Sequence, residues 1–253
     1  LIGHSFGGLF VMNTLLDKPY LFQSYISIDP SIWWNNKSIL TAYKDTNFKD
    51  SKFNNKSLYI GIANTLEKSM DTTSVRQAKG PMVEHINSVF ETRDVLRNIK
   101  NPKFLFKSKY YKNDTHGSAP LITTYDGLRF IFEFYQFEVN FADIMKDSSN
   151  IVDEMKAHYT NISNTLGYEN KPEEGMVNGM GYQLMEMGKM DLASQFFKMN
   201  IDYYPKSFNV YDSLGDYYIA TDNKSKAKAN FEKALSFMEN PESRKKLELL
   251  KSD

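Results

Sequence analysis

Leu1-Ile2-Gly3-His4-Ser5-Phe6-Gly7-Gly8 has the spacing G-x-S-x-G, and the reading of the whole chain turns on it. Glycines on both sides of Ser5 permit a sharp strand-to-helix turn that lifts a serine hydroxyl clear of a sheet, since a β-carbon at either flank is expected to collide with neighbouring backbone. Such a nucleophile elbow needs a strand before it and a helix after it. Leu9, Phe10, Val11, Met12, Leu15 and Leu16 supply the apolar density of a helix buried against a sheet. The strand before the elbow is only Leu1-Ile2 and no initiator Met is present, so the chain is expected to be the C-terminal part of a longer protein.

Outward from the elbow, Tyr20 to Ile28 ends in a short β-prone run, and Ser57 to Ala63 (SLYIGIA) and Phe104 to Tyr111 (FLFKSKYY) are two more. Helix-length stretches separate them. Strands alternating with helices predict a parallel α/β sheet. Between the second and third runs, Thr73 to Ile99 carries apolar residues at mostly helical spacing, broken at Gly80-Pro81, and fits one or two crossover helices. Leu121 to Phe137 is strongly apolar and is expected to pack as a closing helix.

Near residue 175 the texture changes. Val177 and Tyr211, Met180 and Leu214, Gly181 and Gly215, Leu184 and Tyr218, Ala193 and Ala227, and Phe197 and Phe231 all pair at an offset of 34. That is the period of tetratricopeptide helix-turn-helix units, in which small residues recur where two helices cross and large ones where they bury. Pro205 falls at the end of one unit; Gly188 marks the turn in the first, and Asp222-Asn223 replaces it in the second. Residues 174 to 241 resemble two such repeats. Arg244 to Leu250 is a candidate capping helix, and the helical patches in Phe141 to Tyr168 are expected to supply packing surface. The expected organisation is therefore α/β: part of a parallel-sheet domain over 1–137, then an all-α helical repeat region over 138–253.

Composition narrows the function. The 253 residues are 41% hydrophobic and 14% aromatic, enough for ordinary cores. Lys plus Arg and Asp plus Glu each total 31, so no net charge draws the chain to nucleic acid or anionic membrane. No apolar run approaches the roughly 20 residues that span a bilayer. The absence of cysteine excludes disulfides, thiolate metal sites and a cysteine nucleophile, and leaves cytoplasm and periplasm equally open. There is no His-x-x-x-His, acidic calcium loop, Walker sequence or dinucleotide glycine pattern, and no metal or cofactor is expected.

Serine, acid and histidine occur here in the chain order of α/β-hydrolases. Of the four histidines, His116 lies in the polar loop Lys112 to Ser118, after the last strand and before the apolar helix, where it can serve Ser5 as general base. His4 is inside the elbow and is expected to point away from its apex. His85 falls on a predicted helix and His158 in the later helical region, and both read as structural or solvated. The acid is expected after the second strand: Glu67 is nearest the strand end, with Asp71 and, after the first strand, Asp29 as alternatives. The Phe6 N–H follows the nucleophile and is expected to be one oxyanion donor; the other belongs to a loop after an earlier strand that this chain does not contain. Trp33-Trp34, in SIDPSIWW, sit beyond a strand end, where they either line a substrate pocket or fill the core.

Together, GHSFGG at Gly3 to Gly8, SIDPSIWW at Ser27 to Trp34, Glu67 after SLYIGIA, and THGSAP at Thr115 to Pro120 resemble the esterase family of α/β-hydrolases that includes enterochelin esterase-like and esterase D-like enzymes. The resemblance covers residues 1 to about 137, and some members carry a C-terminal tetratricopeptide extension. It implies serine hydrolysis of a small-molecule carboxylic ester, with Ser5 as nucleophile, His116 as base and Glu67 as the acid that orients it. The competing expectation is an interaction protein whose repeats dock a protein or peptide on a hydrolase platform that has lost its chemistry.

Overall fold

The alternating strands and helices fold as a four-stranded, all-parallel sheet in the order β1 (Ile2–His4), β2 (Ser24–Ile28), β3 (Lys56–Ala63), β4 (Phe104–Tyr111). The computed structural model describes residues 1–144, 146 and 149–252. Contacts divide the chain into two units, Leu1–Glu133 and Phe134–Asp253.

In the first unit β3 is buried at every position, as expected for a strand between two parallel neighbours under helices on both faces. Its side chains alternate between two apolar layers. Leu58, Ile60 and Ile62 join Val11, Met12 and Leu15 of α1 (Phe6–Asp17), Ile39 and Leu40 of α2 (Trp34–Asp45), and Val89 and Phe90 of a later helix. Tyr59 and Ala63 face the other way, with Ile26, Ile28 and Ala119. Truncating one of these fully buried aliphatics to Ala costs about 2–5 kcal/mol. The interrupted crossover resolves into a short α3 (Ser74–Gln77) and a long α4 (Pro81–Arg97). Gly80 adopts φ 131°, which a β-carbon disfavours, and Pro81 is preset for the first helical turn.

The closing helix is shorter than expected. α5 spans Ala119–Ile131 and gives way to a single 3-10 turn at Glu133–Tyr135. It presents Ala119, Thr123 and Gly127 to the sheet at i, i+4, i+8 and leaves Leu121, Tyr125 and Leu128 exposed, so apolar content overstated both its length and its burial.

The second unit is all helical: α6 (Phe141–Ile144), α7 (Ile151–Leu166), α8 (Glu174–Glu186), α9 (Met190–Tyr203), α10 (Phe208–Ala220), α11 (Lys224–Phe237) and α12 (Pro241–Ser252). α8 packs on α9 and α10 on α11. A β-carbon on Gly181 would lie 2.6 Å from the Phe197 ring, and one on Gly215 would lie 2.6 Å from the Phe231 ring, so the same close crossing recurs at an offset of 34. The turns at Gly188 (φ 74°) and Asp222 (φ 56°) are both left-handed. Ile151, Val152 and Met155 of α7 share a core with Val177, Phe196 and Phe197, and Leu247 of α12 closes over Ala227 and Phe231. Residues 145, 147 and 148, inside the stretch Phe141 to Tyr168, lie outside the described residues. No helix among the described residues is long and apolar enough to cross a membrane.

Candidate active site

Ser5 stands between β1 and α1 with φ 58° and ψ −117°, an elbow conformation rare for a residue with a β-carbon. Three backbone hydrogen bonds hold it: Ser5 N–H donates to Ile28 O at 3.0 Å, and Leu9 N–H and Ser31 N–H donate to Ser5 O at 3.0 Å each. A β-carbon on Gly3 would meet Gly7 O at 2.2 Å, as the elbow requires, but one on Gly7 would meet nothing within 4 Å. The tight partner of Gly3 is instead Gly8, whose added β-carbon would stand 3.1 Å from Ile28 O and Pro30. Phe6 is the first residue of α1, so its N–H is one of the helix-start donors with no acceptor inside the helix. Ser5 Oγ is 3.2 Å from Ser31 Oγ, the hydrogen-bond partner it has among the described residues.

The carboxylate within hydrogen-bond distance of His116 is that of Asp29 rather than the expected Glu67. Asp29 follows β2, is fully buried, and turns at φ 39° while its N–H donates to Gly61 O at 2.8 Å. Its Oδ1 accepts the Ala63 N–H at 3.0 Å, and its Oδ2 lies 2.6 Å from His116 Nδ1 and 3.0 Å from His85 Nε2. A carboxylate acceptor there makes His116 Nδ1 the protonated nitrogen and leaves Nε2 as the basic one. Glu67 has an exposed side chain and engages its turn through its backbone carbonyl, which accepts the Met70 N–H. Asp71 accepts the N–H groups of Thr73 and Ser74 and caps the turn before α3. Asp29 follows β2, the strand paired directly with β1, while the Glu67 side chain on the loop after β3 faces solvent.

His116 sits in a loop held by Asn64, whose N–H donates to Asp114 O at 2.7 Å and whose Nδ2 donates to Lys112 O at 2.8 Å. Its ring is flanked by two other histidines. His4, expected to point away, packs against it with ring centroids 4.3 Å apart, and His85 meets it edge-on at 5.5 Å. Burial, then the neighbouring charge of His116, pulls the His4 pKa down and favours its neutral form. For Asp29, burial pushes the carboxyl up, but the hydrogen bonds from His85 and His116, the His85 charge and the Ala63 N–H outweigh it and hold it below its ordinary value. Asp29 is therefore an anion at neutral pH. His158 belongs to the second unit and packs at a tilt against Phe137, with ring centroids 4.9 Å apart.

Asp29, His85 and His116 bring three potential ligand atoms within 4.8 Å of one another. Their spacing suits protons better than a metal: ligand atoms about 2.0–2.1 Å from a tetrahedral zinc stand about 3.3 Å apart, whereas Nδ1 of His116 and Oδ2 of Asp29 are 2.6 Å apart. That is the length of a charge-assisted hydrogen bond.

Trp33 and Trp34 are exposed, 37% and 53%, rather than core, and with Phe6 they form a patch of mutually edge-on rings at 5.4 to 6.2 Å. The sequence left Asp29 as an alternative and passed over His85 and Ser31. Asp29-Pro30 at the end of an apolar strand was the available signal, and nothing local marked the helix face of His85.

No family model matches the chain. A siderophore enterobactin esterase of Emericella nidulans is 58% identical over 41 residues, 16% of this chain and 14% of that protein. A siderophore triacetylfusarinine C esterase of Aspergillus fumigatus is 27% identical over 147 residues, 54% of this chain and 50% of that protein. The matches thus span half or less of these relatives. An IroE-like serine hydrolase from Shewanella oneidensis superposes with a TM-score of 0.55 at 22% identity, covering 80% of this chain and 58% of that one. The chain accordingly has the α/β fold of an IroE-like hydrolase and is similar in sequence to siderophore esterases, as its enterochelin esterase-like motifs imply.

Proposed function

We propose that the chain carries the site of a serine ester hydrolase acting through an acyl-enzyme on siderophore-type esters. The observation that carries this reading is the buried Asp29 held 2.6 Å from His116 Nδ1 beside a serine at φ 58° on a strand-to-helix elbow. Ser5 Oγ leaves Ser31 Oγ, passes its proton to His116 Nε2 and attacks the ester carbonyl. The oxyanion takes a hydrogen bond from the Phe6 N–H, His116 protonates the departing alkoxide, and water deprotonated by His116 releases the acid. Asp29 replaces Glu67 as the group that fixes the imidazole tautomer. Phe6, Trp33 and Trp34 offer flat apolar surface to the substrate, and the names of the two relatives support a siderophore as its class. The helix pairs from α8 to α11 act as a tetratricopeptide-like tail for protein interaction or domain packing.

Labelling by a fluorophosphonate probe tests the chemistry. Ser5→Ala abolishes labelling; Asp29→Asn slows it by about 10²- to 10⁴-fold; Glu67→Gln leaves its rate unchanged. Labelling that survives Ser5→Ala refutes the nucleophile, and a rate loss in Glu67→Gln with none in Asp29→Asn restores Glu67 as the acid.

A further inference from the structure

Two imidazoles converge on one oxygen. Asp29 Oδ2 is 2.6 Å from His116 Nδ1 and 3.0 Å from His85 Nε2, while Oδ1 is taken by the Ala63 N–H. The carboxylate is thus gripped from the end of β3, from α4 and from the loop before α5. A triad needs only the first imidazole, so the second contact is unused by the proposed chemistry. It is nonetheless well built: His85 is partly buried, with 19% of its side chain exposed, its α4 is anchored by buried Ile86, Val89 and Phe90, and its ring meets that of His116 edge-on. The other titratable neighbour is His4, which packs on the His116 ring.

We propose that His85 is a positioning residue for the hydrolysis inferred above: its Nε2–H shares Asp29 Oδ2 with His116 and fixes the carboxylate in the orientation that His116 uses. An Asp side chain fixed by the Ala63 N–H alone can still turn about its terminal torsion, which is broad and soft. His85 removes that freedom from the rear of the site, without touching substrate. Its helix also keeps the His116 ring from tipping, since the two rings are in contact.

The proposal rests on the hydrolase reading, and its test separates the two. In the Ser5→Ala chain, which needs no turnover, the His116 Nδ1 proton is expected as a sharp NMR resonance well downfield of the amides, as a short N–H···O⁻ bond gives. His85→Leu is expected to move that resonance upfield or broaden it away. His85→Gln, whose amide nitrogen reaches about as far as Nε2, keeps it. Should His85→Leu fail to fold, His85→Asn, whose shorter amide stops short of Asp29, carries the same expectation. In chains with Ser5 intact, kcat on a chromogenic ester falls by about 10- to 100-fold in His85→Leu with KM unchanged, and is rescued by His85→Gln. A resonance indifferent to His85→Leu, or equal loss of kcat in Leu and Gln variants, overturns the positioning role. A responsive resonance in a chain whose Ser5 neither turns over esters nor takes the probe overturns the hydrolase reading, and with it any catalytic use of His85.

Discussion

Ser5 holds a backbone conformation that costs a residue with a β-carbon about 1–3 kcal/mol, and three backbone hydrogen bonds from the neighbouring loop and helix keep it there. Replacing the serine therefore separates strain from chemistry. Ser5→Ala and Ser5→Gly both lose the contact with Ser31 Oγ, but only glycine relaxes φ 58°. Ser5→Gly is expected to be more stable than Ser5→Ala by about 1 kcal/mol after the entropy of a glycine in the unfolded chain is subtracted, raising Tm by about 2–4 °C. Thermal melts that place the two variants together, or alanine higher, contradict a strained elbow. At this scale the sequence was most legible where geometry leaves little choice. Ser5 lies on the turn between β1 and α1, and His116 lies in the loop between β4 and α5, the segments that the motifs mark. The carboxylate that meets His116 was less legible because both Asp29 and Glu67 follow apolar strands, and which of them turns inward is decided by tertiary packing and not by either segment.

Elements were legible where hydrophobic pattern and turn chemistry agree. β3 and β4 coincide with their apolar runs to within a residue, and Gly80-Pro81 starts α4. α5 ends at Ile131, short of its apolar run, with Phe130 and Ile131 packed, partly buried, against the layer of Ile26, Ile28 and Tyr59. The offset of 34 was legible because it is set by packing: Gly181 lies under Phe197 as Gly215 lies under Phe231. Phe197 is fully buried and its ring has nowhere to retreat, so Gly181→Ala is expected to destabilise by about 1–3 kcal/mol through overpacking. Gly179, on the same helix, faces open space, and Gly179→Ala is expected to stabilise by about 0.5–1 kcal/mol. Urea unfolding of both variants checks the sign of each change. Two stabilising substitutions refute the close crossing, and Phe197→Leu in the Gly181→Ala background is expected to recover part of the loss.

For the whole molecule, the informative charge is the buried one. The 31 cations balance the 31 anions, so global electrostatics contribute little preference for one pH over another near neutrality. Asp29, fully buried and bound by His85, His116 and the Ala63 N–H, has a folded pKa below its unfolded value. Its contribution to folding is complete above the ordinary carboxylate range and is lost as the pH falls through the depressed folded value, because the folded state then takes up the proton that the unfolded state already holds. Asp29→Asn removes that ionisation while keeping a side chain of nearly the same shape. At pH 7 the variant is expected to be less stable than the parent chain by about 1–3 kcal/mol. The gap stays constant down to the ordinary carboxylate range and closes below it. Denaturant titrations at pH 7, 5 and 3 read it directly. A gap that persists undiminished at pH 3 means that Asp29 acts through shape and hydrogen bonding rather than through its charge, and the same outcome removes the anion on which the His116 tautomer depends.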